Sequence, residues 1–119
     1  MRHHNSKKNF NFIKEPEEFN KYSKREFLQY CLGAILYTPG TMNIKEKITN
    51  GVLSVLTTIV LDFEDGIAGT ELAKAENNVI NTIEYIYNKI DSGDMIEKNL
   101  PLIFIRVRSA DQFKDFSKK

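Results

Sequence analysis

The sequence predicts an α/β fold, with parallel strands in the order strand, helix, strand, helix, strand, preceded by a polar arm and a short helix. Three observations carry this. Apolar runs of strand length recur at 32–38, 57–63 and 102–108. The segments between them repeat apolar residues at helical spacing. The strand runs are apolar on both parities, as in strands covered by crossover helices, and right-handed βαβ units follow. The chain has 119 residues, 41% of them hydrophobic, which suits one compact domain with a modest core.

Residues 1–16 are polar and basic, and Pro16 closes them off, so a flexible arm is expected. His3 and His4 within it carry no metal-site spacing. From 17 to 30, Phe19, Tyr22, Phe27 and Tyr30 fall at roughly helical intervals and predict a short amphipathic helix. Cys31 cannot form an internal disulfide, being the single cysteine, and is expected as a small buried apolar residue.

The first strand, Leu32 to Thr38, is stopped by Pro39-Gly40. Thr41 or Asn43 can cap a helix carrying Ile44, Ile48, Val52 and Val55 on one face. Gly51 weakens that helix by up to ~1 kcal/mol, which a packed face of aliphatics at ~1.5–3 kcal/mol each outweighs. The second strand runs through Thr57-Thr58-Ile59-Val60-Leu61 and ends in Asp62, Glu64 and Asp65 before Gly66 releases it. A period of two places Ile59, Leu61 and Phe63 on one face and Val60, Asp62 and Glu64 on the other. A long helix from about 71 to 90 follows, with Leu72, Val79, Ile80, Ile83, Ile86, Tyr87 and Ile90 on its apolar stripe. Lys74, Glu76, Asn77, Asn78, Asn81 and Glu84 cover the rest. Pro101 opens the third strand, Leu102 to Arg108, and Ser109 can cap a final helix with Phe113 and Phe116 inward.

Ligands of parallel α/β sheets bind at the carboxyl ends of the strands, whether the sheet is open or closed as a barrel. All three strands end there in unusual residues. Carboxylates crowded at a strand end repel one another unless a cation sits among them. Arg106 and Arg108 share a face of the third strand and can supply it. One interpretation is a structural ion-pair network, or acids that merely solvate a turn. The other assigns the guanidinium forks to a carboxylate or phosphate and leaves the acids for metal or proton chemistry. No glycine-rich phosphate loop, Cys/His metal spacing or nucleophile elbow is present.

A net charge of +1 gives no electrostatic footprint for nucleic acid or an anionic membrane. No apolar run approaches the ~20 residues of a membrane span, and the start lacks a secretory h-region, so a cytoplasmic setting is expected.

Leu36-Tyr37-Thr38-Pro39-Gly40, Leu61-Asp62-Phe63-Glu64-Asp65-Gly66-Ile67 and Ile105-Arg106-Val107-Arg108 together resemble the citrate lyase β-subunit-like group of the HpcH/HpaI aldolase superfamily. Those enzymes show LFVPG-like, LDLEDAV-like and RVN-like strands. The phrasing around Leu32-Gly33-Ala34 and Arg108 to Phe113 is similar to the C–C bond lyase-like branch of tellurium-resistance and stress operons. Residues 31–119 would then be the N-terminal βαβαβ part of a TIM barrel, a fold of eight strands and typically ~250 residues. The resemblance implies a Mg²⁺-dependent lyase acting on keto-acid or acyl-CoA substrates, homo-oligomeric at full length. Arg106 would hold a substrate carboxylate, with Arg108, Pro39 and Gly40 beside it. Asp62, Glu64 and Asp65 would act as proton-relay or orienting groups. Glu64 and Asp65 would reach the metal through water, its direct ligands coming from later strands, so the chain alone is expected to be inactive. Gly33 stands where many relatives carry arginine, and Arg108 where they carry the asparagine of RVN. The alternative is a small three-layer α/β binding or protein-interaction module without catalysis, its helices covering both faces of the sheet.

Overall fold

The computed structural model describes residues 11, 13–14 and 17–119. The rest of the predicted arm, including His3, His4 and Pro16, lies outside the described residues. The elements run in the predicted order: α1 (Arg25–Leu28), β1 (Ile35–Pro39), α2 (Lys45–Thr49), β2 (Thr58–Asp62), α3 (Leu72–Asp91), β3 (Leu102–Arg106) and α4 (Ala110–Phe116). The strands form one open parallel sheet in the order β1-β2-β3. Its last rung sets Pro39, Asp62 and Arg106 side by side.

The two faces of the sheet differ. Ile59, Leu61 and Phe63 bury one face against Ile44 and Ile48 from the α2 region and Ala75, Val79 and Ile86 of α3, with Ile103, Ile105 and Phe116 packed around them. All the helices in this core therefore lie on one side. The opposite face carries Ile35, Tyr37 and Phe104, all partly open to solvent, around the buried Val60. Among the described residues the helices of this core lie on one face, the arrangement found in the wall of a barrel, where the sheet curls around its own inner side.

Several elements are shorter than their hydrophobic spacing suggests. The helix expected over 17–30 shrinks to the four residues of α1, and of its four aromatics Phe19 is buried while Tyr22, Phe27 and Tyr30 are exposed. Asn20 turns the chain instead, its side chain accepting from the Tyr22 amide at 2.9 Å. Cys31 is half-buried, donating its thiol proton to the Phe27 carbonyl. The first strand begins at Ile35, because Gly33 adopts φ +60° and the Thr57 hydroxyl takes the Leu32 carbonyl. Pro39 is the last residue of that edge strand, where a missing N–H breaks no ladder.

Gly51 does not merely weaken α2; it ends it. Asn50 and Gly51 form a helix stop, Gly51 taking φ +81° and the Asn50 side chain accepting from the Val52 amide. Val52 and Val55 are consequently exposed, and neither Thr41 nor Asn43 caps the helix. On α3 the buried stripe is Ala75, Glu76, Val79, Thr82 and Ile86, so Ile83 and Tyr87 face out and Glu76 faces in. Ser109 caps α4 as predicted, its hydroxyl accepting from the Gln112 amide at 3.1 Å. Phe116 meets the Phe63 ring edge-on at 5.0 Å, whereas Phe113 is exposed.

Candidate functional site

At the carboxyl end of the sheet Asp62 and Arg106 come together because parallel pairing aligns them in one rung with side chains on one face. Arg106 Nε donates to Asp62 Oδ1 at 2.7 Å and its Nη2 to Asp62 Oδ2 at 2.5 Å, the bidentate fork geometry. The Glu64 amide donates to Asp62 Oδ1 at 2.8 Å. The Asp62 side chain is only 4% exposed, so its charge depends on these donors. Burial pushes its carboxyl up, but the Arg106 fork and the Glu64 amide outweigh that and hold it below the usual carboxylate range. Arg106 is correspondingly raised by its bonds to Asp62 and then Asp65.

The other two acids sit at the open mouth. Glu64, 53% exposed, lies 3.5 Å from Arg106 Nε, and Asp65, 80% exposed, accepts from Arg106 Nη2. The Tyr37 ring lies under the same guanidinium, 5.3 Å from centroid to Cζ. Around this cluster runs a cleft of about 410 Å³ lined by Tyr37, Thr38, Pro39, Asp62, Asp65, Gly66 and Arg106. The cation expected among the acids is thus Arg106.

Three predicted site residues are not in the cleft lining: Glu64, exposed beside Arg106, and Gly40 and Arg108. Gly40 is buried, its amide donating to the Asp62 carbonyl at 2.7 Å. A Cβ there would lie 2.9 Å from two carbons of the Phe63 ring and 3.2 Å from that carbonyl. Gly40→Ala is therefore expected to destabilise the fold by about 1–3 kcal/mol through overpacking, measured by urea unfolding. Arg108 donates from Nε to the Phe63 carbonyl and from Nη2 to the Ile67 carbonyl, away from the cleft.

Sequence reasoning missed Asn78. Its side-chain amide donates to the carbonyls of Gly40 at 2.7 Å and Met42 at 3.0 Å, tying the loop after β1 to α3. Nothing in a polar position on a helix marks such a partner in advance.

Among the described residues, no three His, Cys, Asp or Glu side chains are placed to hold a metal ion. Asp62 has both oxygens committed to Arg106, and Asp65 also faces the guanidinium rather than a shared centre. These residues do not by themselves fit an inner-sphere Mg²⁺ site. No helix among the described residues is long and apolar enough to cross a membrane.

A model of the C–C bond lyase family of the TIM-barrel fold matches residues 26–119. No curated protein and no solved structure matches the chain significantly. The match spans all three strands of the open sheet and the mouth where Asp62 meets Arg106. The chain belongs to the C–C bond lyase family of the TIM-barrel fold.

Proposed function

We propose that this chain supplies the carboxylate-binding wall of a carbon–carbon bond lyase acting on small keto acids, acyl-CoA esters being the neighbouring substrate class. The observation that carries this is the Arg106 fork at the cleft, oriented from behind by Asp62 and stacked on Tyr37. A guanidinium fixed in this way is pre-organised for a second carboxylate. Asp62, held ionised by its donors, is an orienting group here and a poor proton acceptor. Glu64, exposed at the mouth 3.5 Å from Arg106 Nε, and Asp65, once displaced from Arg106, would act by proton transfer or through bound water. Pro39 lines the substrate side of the cleft, and Gly40 sets the loop behind it.

Retro-aldol cleavage requires an electrophile at the keto oxygen, which Mg²⁺ supplies in the chemistry proposed for the family. The resemblance places the direct metal ligands on later strands, and Asp62 is engaged by Arg106, so binding without turnover is expected of the chain alone. The strand motifs support placement within the HpcH/HpaI aldolase and citrate lyase β-subunit-like superfamily, near the branch associated with tellurium resistance and stress. The near-neutral charge favours neither a nucleic-acid nor a membrane partner, and a cytoplasmic homo-oligomer is proposed from the family resemblance.

Asp65 takes one N–H of Arg106 Nη2, so a carboxylate that bridges Nη1 and Nη2 as a fork has to displace it. Asp65→Asn removes that competitor and is expected to tighten binding of pyruvate about two- to five-fold, the modest value of an exposed ion pair. Calorimetric titration with pyruvate, and with hydroxyacetone as the ketone lacking a carboxylate, tests the proposal. Binding of pyruvate alone supports it. Equal binding of both, or of neither, would remove Arg106 as a carboxylate receptor.

A further inference from the structure

We propose that Arg108 is a positioning residue that pins both ends of the loop carrying Glu64 and Asp65, and so sets where Asp65 meets Arg106. Its guanidinium bridges the carbonyls of Phe63 and Ile67, the residues immediately before and after the acidic turn. Between them no strand or helix ladder holds the chain, and Gly66 makes the turn at φ +72°. The Phe63 and Ile67 side chains are buried and the Glu64 amide is held by Asp62 Oδ1, so the clamp bears chiefly on where Asp65 and Gly66 lie.

The clamp is itself anchored. The Arg108 amide donates to Gln112 Oε1 at 2.7 Å, and Gln112 Nε2 donates to Glu76 Oε1 at 3.1 Å. Lys119 Nζ then donates to Glu76 Oε2 at 2.6 Å, so the chain of bonds runs from the end of β3 through α4 to the inward face of α3. Among the described residues no carboxylate lies within ion-pair distance of Arg108. Its Nε and Nη2 are spent on main-chain carbonyls. A planar fork can span two carbonyls at once, whereas an ammonium is a point charge, so arginine and lysine are not equivalent at this position.

The functional consequence rests on the carboxylate-binding proposal above: with the loop pinned, Asp65 competes for Arg106; with it released, Asp65 does not. Arg108→Met should therefore mimic Asp65→Asn. The experiment uses the full chain with Arg108→Met, Arg108→Lys, Asp65→Asn and the Asp65→Asn/Arg108→Met double variant. NMR follows the Arg106 guanidinium protons and the Asp65 carboxyl carbon, hydrogen exchange follows the 64–67 amides, and calorimetry gives the pyruvate Kd.

In Arg108→Met the Asp65 carboxyl signal should shift and the 64–67 amides should exchange at least about ten-fold faster, with the β2 amides and the Arg106 Nε–H to Asp62 unchanged. Pyruvate should bind about two- to five-fold tighter than to the parent and no tighter in the double variant than in Asp65→Asn. Arg108→Lys should fall between parent and Arg108→Met. A uniform loss of protection across the fold, or an unmoved Asp65 signal in either Arg108 variant, would overturn the proposal and leave Arg108 as a general stabiliser. So would an equal affinity change with and without Asp65. If pyruvate binds none of the proteins, the carboxylate reading fails, while the NMR and exchange results still decide the clamp.

Discussion

Asp62→Asn should destabilise the protein by roughly 2–3 kcal/mol and flatten the acid limb of its stability profile. The carboxylate accepts three hydrogen bonds, two from Arg106 and one from the Glu64 amide, while almost wholly buried. Asparagine keeps one acceptor oxygen and turns an NH₂ toward a guanidinium that is itself all donor, so at least one bond becomes a donor–donor clash. The pH dependence follows from the depressed Asp62 carboxyl. The folded protein holds it below its unfolded value of about 3.9, so its contribution is complete above that value and is lost as pH falls through the lower, folded one. Glu76 adds a second contribution of the same sign, its carboxyl lowered chiefly by Lys119 against the opposing effect of burial, with Gln112 assisting. Urea unfolding of parent and variant between pH 7 and pH 3 should show the difference in stability shrinking toward low pH, while both proteins keep the acid limb due to Glu76. A difference constant with pH would mean that Asp62 is not held ionised by Arg106.

Phe63→Ala is expected to cost about 3–5 kcal/mol, against a total stability of about 5–15 kcal/mol for a typical domain. Phe63 is fully buried, stacked edge-on with Phe116, and its ring forms the wall against which Gly40 fits. Its amide donates to the Arg106 carbonyl at 2.9 Å, so the same residue joins the core to the mouth. Removing the ring leaves a cavity that the loop after β1 and the start of α4 can fill only by moving. A circular-dichroism melt should show the cooperative transition displaced to much lower temperature, with Phe63→Leu far milder. A loss below about 1 kcal/mol would mean that the site region collapses freely and that its geometry is not fixed by this core.

The strands were legible because a period of two and a period of 3.6 are strong signals over buried segments, and their C-terminal ends concentrated the charged residues. Parity alone put Asp62 opposite the core, and the parallel register then delivered Arg106 to it. What escaped was set by single contacts. Gly51 looked like a tolerable weakness inside a helix and, with Asn50, is its stop, so Val52 and Val55 turned outward. Glu76 looked like a solvent-facing acid, yet Gln112 and Lys119, more than thirty positions away, satisfy it inside. Asn78 and Arg108 bind main-chain carbonyls of distant loops, and carbonyls have no side-chain signature to read. Aromatic spacing misled over 17–30 because the Asn20 turn wins locally over a short helix with little core to bury.

The most direct test of the site is a chemical-shift map of the isotopically labelled parent chain titrated with pyruvate. Saturable shifts are predicted for the amides of Thr38, Asp62, Asp65 and Gly66 and for the Arg106 side-chain Nε–H, the groups that line the cleft. Shifts that fail to saturate, or that gather on the outer surfaces of α2 and α3, would contradict a carboxylate-binding mouth at the ends of the strands.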